Sequence, residues 1–396
     1  MKKRISILGA TGSVGMQALD VAESSGYVLD IISADKNVSA MEFAIRRHKP
    51  RIAFMSDASA LRDLKDRVSD TETKVYGGCD LAAFLGENLR SDTVVNAISG
   101  YHGLAPTLAV IEKGARLALA NKESLVIAGD IVMSAAREKG VEIIPVDSEH
   151  SAIFQSLKAG NREEISKILL TASGGPFYGK STAELQNVSK EEVLAHPTWK
   201  MGEKITVDSA TLMKKGFEII EACHLFGVPE DKVEVLIHRE SILHSAVEYI
   251  DKAVIAQLST PDMRECVQYA VDYPERRQSQ ISPLDLIKVG KLSFAAPDVE
   301  AFPLLALARE AMIDGGAMGA VLESADERAV SAFLEGKISF GDISDIVRGT
   351  YEKMKFAKAY HSLEEIISAH KDAAKIADEI IEKTTKTNLN LSRTEN

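Results

Sequence analysis

Two carboxylates separated by one residue, Asp147 and Glu149 in PVDSEH, are the first side chains in this 396-residue sequence whose spacing suggests chemistry. Carboxylates so placed converge on one cation when the backbone turns between them. Such hard oxygen donors suit Mg²⁺ or Mn²⁺ rather than zinc. Glu218, on a later helical stretch, can add a third carboxylate. Taken alone, Asp147 reads more readily as the N-cap of a helix over 148–157.

Hydroxyl and ammonium groups cluster around these acids. Thr171-Ala172-Ser173-Gly174-Gly175 follows an apolar strand and offers hydroxyls and flexible amides to a phosphate, or is an ordinary turn. Lys204 to Thr211, KITVDSAT, leads into Lys214-Lys215-Gly216-Phe217-Glu218. Charged donors a few residues apart can grip a dianion, and a solvated helix start would carry the same residues.

A different chemistry is written near the N-terminus. GATGSVG (9–15) follows a short apolar run and opens a helical pattern. Glycines there permit a tight turn and let a pyrophosphate approach the backbone, where free helix-start N–H groups face it. At the end of the second apolar run stands Ser33-Ala34-Asp35-Lys36-Asn37. Asp35 would bind a ribose hydroxyl, whereas Lys36 and Asn37 would receive a 2′-phosphate, and the residues alone do not choose between them.

The elements that must position these groups follow from periodicity. Strands are predicted at 4–8, 28–33, 51–55, 93–97, 116–119 and 141–145, with helices at 16–24, 40–48 and 106–113 between them. That alternation predicts α/β architecture, an N-terminal Rossmann-like doubly wound sheet over residues 1–150. A central α+β catalytic domain is expected at 151–284, with a helix at 151–159, strands at 167–171, 233–237, 246–249 and 253–258, and a hairpin joining the last two. After a linker at 285–301, a C-terminal helical bundle is expected at 302–385, with helices at 302–313, 317–334, 342–354 and 362–383. Ser362 and Glu365 have capping-box spacing at the start of the last helix. The polar tail 386–396 is expected to be disordered.

The excursion 176–204 has the length of an active-site lid. It carries capping-box spacing at Ser181/Glu184 and Ser189/Glu192, together with His196 and the sole tryptophan, Trp199. Trp199 can cover a ligand or pack in a small satellite core.

Composition narrows the partners. A net charge of −11 argues against a general nucleic-acid or membrane-surface binder. Cys79, Cys223 and Cys266 are far apart and odd in number, which fits a reducing compartment. No run approaches the roughly 20 apolar residues of a membrane span, and a cytoplasmic protein is expected.

In order, GATGSVG, ANKESLV (120–126), PVDSEHSAIFQ (145–155), LTASGGPF (170–177), HPTWKMGEKITVDSATLM (196–213) and STPDMR (259–264) strongly resemble the 1-deoxy-D-xylulose 5-phosphate reductoisomerase family. The resemblance covers most of the chain and weakens in the helical C-terminal region. It implies an oxidoreductase with an isomerase step, converting 1-deoxy-D-xylulose 5-phosphate to 2-C-methyl-D-erythritol 4-phosphate in non-mevalonate isoprenoid synthesis. NADPH and Mg²⁺ or Mn²⁺ are the implied cofactors, a small phosphorylated keto-sugar the substrate, and a homodimer the assembly.

The resemblance also implies roles. Thr11, Gly12, Ser13 and Val14 would hold the NADPH pyrophosphate and neighbouring ribose, Lys36 and Asn37 the 2′-phosphate, and Asn121 and Glu123 further parts of the cofactor. Asp147, Glu149 and Glu218 match the metal carboxylates. Ser148, Glu149, Ser173, His196, Trp199, Ser209, Lys214, Lys215 and Glu218 match substrate contacts. Lys122 would stabilise developing negative charge and Glu149 would handle a proton while the skeleton rearranges to an aldehyde that accepts hydride.

The sequence departs from the family at two positions. Lys214 stands where asparagine is usual, and Asp35 where glycine is common. Two rival readings are a semialdehyde-type dehydrogenase, which shares the glycine turn, and a catalytically silent NADP-binding regulator, which would not need the acidic set.

Overall fold

The computed structural model describes residues 3–186, 188–195 and 201–394, which fall into two compact units. Unit one comprises Met1–Ser124, Val132–Gln155 and Ser259–Leu284. Its seven strands are β1 (Arg4–Leu8), β2 (Val28–Ala34), β3 (Ile52–Met55), β4 (Lys74–Gly77), β5 (Thr93–Asn96), β6 (Arg116–Leu119) and β7 (Ile143–Pro145). They form one parallel sheet in the order β4-β3-β2-β1-β5-β6-β7. Ile5, Ile7, Ile31, Ile32, Val94 and Val95 are completely buried, as expected of parallel strands covered on both faces.

The crossovers of this sheet are helical. They are α1 (Ser13–Ser24), α2 (Val38–His48), α3 (Ala58–Arg67), α4 (Leu81–Asn88), α5 (Leu104–Glu112) and α6 (Glu123–Lys139), with α7 (Ser148–Ser156) after β7. Strand order reverses direction beside β1, so the exits of β1 and β5 flank the crevice where such sheets place ligands. Of this sheet and its crossovers, β4, α3, α4 and α6 were not expected from the sequence. β4 is a four-residue edge strand, and α3 buries only Ala60 and Leu64 within the helix. α6 is broken at Ala128, whose φ/ψ of −144°/39° leave the helical region.

Unit two contains Leu125–Ile131, Ser156–Leu258 and Asp285–Asn396. Its sheet has the order β11-β10-β8-β9, built from β8 (Ile165–Ala172), β9 (Val233–Ile237), β10 (Leu243–Tyr249) and β11 (Val254–Leu258). β10 and β11 form the expected antiparallel hairpin, and β8 runs parallel to β9. Between β8 and β9 lie α8 (Thr182–Leu185), α9 (Lys190–Leu194), α10 (Glu203–Ala210) and α11 (Met213–Phe226). The capping boxes at Ser181/Glu184 and Ser189/Glu192 both form.

Two expected boundaries shift. The segment after β11 returns to unit one as α12 (Met263–Asp272), because Val267, Ala270 and Val271 join the core that contains Ile5, Ile7 and Val95. The C-terminal helices α14 (Leu304–Asp314), α15 (Met318–Leu334), α16 (Phe340–Lys353) and α17 (Leu363–Thr394), preceded by the short α13 (Leu286–Val289), do not stand apart from the catalytic sheet. Gly216 on α11 explains part of this union, since a Cβ there would lie 2.6 Å from Cβ of Ala308 on α14. α17 continues through Thr394, past residue 386 where a disordered tail was expected. No helix among the described residues is long and apolar enough to cross a membrane.

Candidate active site

In unit one the candidate residues gather at the carboxyl ends of β1, β2, β6 and β7. Gly9 (φ +78°) leaves β1 against the exit of β5, and a Cβ on it would lie 2.5 Å from the Ala97 carbonyl oxygen. Gly15 packs on the same turn, where a Cβ would come within 2.1 Å of Gly9 O. Gly12 differs. A Cβ there would meet only Gly9 O at 3.4 Å, and Gly12 caps α1 without any side-chain hydrogen bond. The first turn of α1, with Ser13 and Val14, therefore presents backbone N–H groups that suit an anion.

Lys36 and Asn37 are exposed beyond β2. Asn37 caps α2 by accepting a hydrogen bond from Ala40 N at 3.1 Å through Oδ1, which leaves its amide group to donate elsewhere. Asn121 is nearly inaccessible. Its Nδ2 donates to Ile98 O, Gly100 O and Glu123 Oε2 at 2.7, 3.0 and 2.9 Å, while its Oδ1 accepts from Ser124 N. This amide fastens the turn after β5 to the start of α6 and orients Glu123.

Next along the chain, the Lys122 ammonium donates to Asp147 Oδ2, and the two side chains are only 7% and 9% exposed. Ser148 and Glu149 are buried beside them, with the serine hydroxyl donating to Glu149 Oε2 at 2.5 Å. The STPDMR motif starts α12, where the Arg264 guanidinium holds the Asp262 carboxyl below its ordinary range. Burial, then the carboxylates of Glu265, Asp147 and Glu149, pushes the Cys266 thiol well up, so it stays neutral here.

Unit two holds the rest. Glu218 is completely buried on α11. Its Oε2 accepts from the Lys215 ammonium, and Lys214 Nζ lies 3.4 Å from Oε1. Lys215 also donates to Thr171 O at 2.5 Å, tying α11 to the end of β8. Leu212, at φ +58°, turns the chain between α10 and α11. The loop after β8 passes through Gly174 and Gly175, both left-handed, and a Cβ on Gly175 would lie 2.7 Å from Ser209 O. That close approach sets the loop bearing Ser173 against the helix bearing Ser209.

Sequence reasoning did not find Arg239. Its guanidinium donates to Gly175 O at 2.9 Å and lies over the Tyr178 ring, anchoring the Ser173 loop from a residue 64 positions away. No local pattern marks it. His196 and Trp199, expected on the lid, lie outside the described residues.

These groups suit three kinds of partner. In unit one Asp147 and Glu149, and in unit two Glu218, offer hard carboxylate oxygens of the kind that Mg²⁺ or Mn²⁺ takes. The glycine turn and the open start of α1 fit a dinucleotide pyrophosphate. Hydroxyls and lysines at Ser173, Ser209, Lys214 and Lys215 fit a phosphate dianion.

Comparison with known proteins agrees along the chain. Residues 5–129 match the family profile of 1-deoxy-D-xylulose 5-phosphate reductoisomerase, and 143–226 and 258–376 match two profiles for its C-terminal domain. The 1-deoxy-D-xylulose 5-phosphate reductoisomerase of Acetivibrio thermocellus is 49% identical over 381 residues, 96% of this chain and 100% of that protein. That of Clostridium botulinum is 46% identical, covering 93% and 97%. Among solved structures, the Zymomonas mobilis enzyme in complex with NADPH superposes with a TM-score of 0.89 at 41% identity, over 96% of this chain and all of that one. A reductoisomerase in complex with NADPH, fosmidomycin and magnesium superposes at 0.90 with 39% identity, over 96% and 98%.

Proposed function

The chain belongs to the 1-deoxy-D-xylulose 5-phosphate reductoisomerase family, and on that premise we propose which of its side chains carry out the reaction. The enzyme converts 1-deoxy-D-xylulose 5-phosphate to 2-C-methyl-D-erythritol 4-phosphate and depends on NADPH and a divalent metal. When bound, NADPH supplies hydride and the metal supplies Lewis acidity toward the substrate's oxygens.

Unit one holds the cofactor. Backbone amides of Thr11, Gly12, Ser13 and Val14 take the pyrophosphate, and Lys36 with the Asn37 amide takes the 2′-phosphate. Glu123, oriented by Asn121, completes that side. Asp147, Glu149 and Glu218 supply the metal's carboxylates. Unit two grips the substrate phosphate through Ser173, Ser209, Lys214 and Lys215, and this remote binding orients the reacting end. Ser148 adds a hydroxyl to the substrate, and the family resemblance assigns substrate contacts to His196 and Trp199, which lie outside the described residues. Lys122 lends its ammonium to negative charge developing on a substrate oxygen. Glu149 takes and returns a proton at Oε2, where the Ser148 hydroxyl donates.

One observation supports this reading above the others. Within its own unit, two of the three carboxylates in the assignment already face an ammonium, Lys122 for Asp147 and Lys215 for Glu218. Acids held at low exposure beside counter-charges are poised for a cation and an anionic substrate.

The test is NADPH oxidation by the purified chain with 1-deoxy-D-xylulose 5-phosphate, with Mn²⁺ and then with excess chelator. Oxidation should require the metal. Turnover that survives the chelator would favour a simple dehydrogenase instead. Glu218→Gln should bind NADPH normally and lose at least about 100-fold in turnover, the scale of removing one preorganised electrostatic group.

The same reading makes the protein a cytoplasmic homodimer. The cysteines are unpaired, as a reducing compartment requires. β11 is a sheet edge with Val254 50% and Ile255 39% exposed, a surface suited to a second copy. Light scattering should give twice the chain mass.

A further inference from the structure

Beneath the phosphate-gripping residues of unit two, one ammonium joins three helices. Lys204 Nζ lies 2.7 Å from Asp208 Oδ2 on its own helix, α10, and 2.7 Å from Asp326 Oδ2 on α15. The same ammonium sits over the Phe217 ring of α11, 5.1 Å from its centroid. Asp208 is 5% exposed and Asp326 is fully buried, so neither carboxylate is stabilised by bulk water. Their remaining oxygens, Oδ1 of each, have no partner. Lys204 thus places one positive charge between two buried acids.

Its contacts fall beside the working residues. Asp208 immediately precedes Ser209, and Phe217 immediately precedes Glu218. We infer that Lys204 is a positioning residue: by bridging Asp208 to Asp326 against Phe217, it sets α10 relative to α11 so that Ser209 and the Lys215–Glu218 pair address one phosphorylated substrate. The inference rests on the site assignment above. It also gives the C-terminal helices a part in turnover, because α15 reaches the substrate helix through this bridge.

The physical reason is charge balance. Two buried carboxylates without their shared cation repel one another or must take up protons, and removing one member of a buried ionic set is strongly unfavourable. Repulsion moves α10 away from α15, and protonation leaves the two acids without the ammonium that ties them to Phe217. A displacement near 1 Å at a substrate-orienting group can cost about 100-fold in rate.

The experiment is steady-state kinetics on Lys204→Met, Lys204→Arg and Lys204→Met/Asp326→Asn, with thermal melts of each. Lys204→Met should raise KM for 1-deoxy-D-xylulose 5-phosphate at least about 10-fold, with kcat falling less and KM for NADPH within about 2-fold of wild type. Lys204→Arg should recover most of the loss, and the double variant part of it. Should Lys204→Met fail to fold, Asp326→Leu cuts the link to α15 while leaving Lys204 and Asp208 in place, and the same rise in substrate KM is expected. Unchanged substrate KM in a folded Lys204→Met or Asp326→Leu enzyme overturns the inference, as does an equal loss toward NADPH. If wild type itself does not oxidise NADPH with this substrate, the site assignment fails first; wild-type turnover with an unaltered variant sinks the inference alone.

Discussion

Lys122 donates from Nζ to Asp147 Oδ2 in a place where both side chains are at least nine-tenths buried. The pairing makes stability depend on what neutralises Asp147. Lys122→Met strands a buried carboxylate, at a cost of about 3–5 kcal/mol. A bound divalent cation would offset that loss, so melting of Lys122→Met should rise more with Mn²⁺ than wild type does. Turnover should fall at least about 100-fold. Melting insensitive to the cation would remove Asp147 from the metal site.

Glycines of the first turn divide into two kinds. Gly15→Ala forces a methyl onto the Gly9 carbonyl and should cost about 1–3 kcal/mol of stability. Gly12→Ala meets only an ordinary contact and should melt like wild type. Yet Gly12 heads the helix that would receive the pyrophosphate, so NADPH affinity should drop about 10-fold or more in Gly12→Ala. Fluorescence titration decides this, and affinity within about 2-fold of wild type would displace the cofactor from this turn.

Lys214 places a second ammonium beside Glu218, at 3.4 Å. Lys214→Asn keeps a donor and removes a charge. Substrate KM at low salt should rise about 3- to 10-fold, and its dependence on ionic strength should flatten, since screening acts on the charge that was removed. An unchanged salt dependence would mean that Lys214 does not face the phosphate.

Glu323 on α15 is fully buried, and its Oε2 pairs with His370 Nε2 at 2.7 Å. Burial raises its carboxyl above the ordinary value of 4.5. A raised carboxyl favours the fold while protonated, and that advantage is lost as pH climbs from 4.5 through the folded-state value. Glu323→Gln is neutral throughout and retains an acceptor for His370. It should match wild type at and below pH 4.5 and exceed it near neutrality, with the difference in Tm opening as pH rises. Melts across pH check this. A constant difference at every pH would contradict it.

Most of the site was legible because its parts are short and local. The GATGSVG turn, the Asp147/Glu149 pair, the Ser173 loop and the Lys214–Glu218 run each sit within a few residues at the end of one element. What escaped is non-local or weakly apolar. Lys204 and Asp326 are 122 residues apart, and Arg239 reaches Gly175 across 64. β4 pairs only along one edge and alternates exposed with half-buried residues, so KVYG carries little hydrophobic signal. The segment of α12 was expected within the catalytic domain, because its buried face does not say which core it enters. Val267 and Val271 would suit either unit, and only the packing with Ile5 and Val95 decides.

Gly216 determines how far this chain can be shortened. Because α11 and α14 meet through a glycine with no room for even one methyl, the helix bearing Glu218 takes its wall from residues beyond 300. A minimal enzyme ending at the second sheet would leave that wall missing and the apolar side of α11 in water. Shortening therefore has to begin from the far end of α17 and stop well before α14, and an insertion between the sheet and the bundle would loosen the acid that α11 carries.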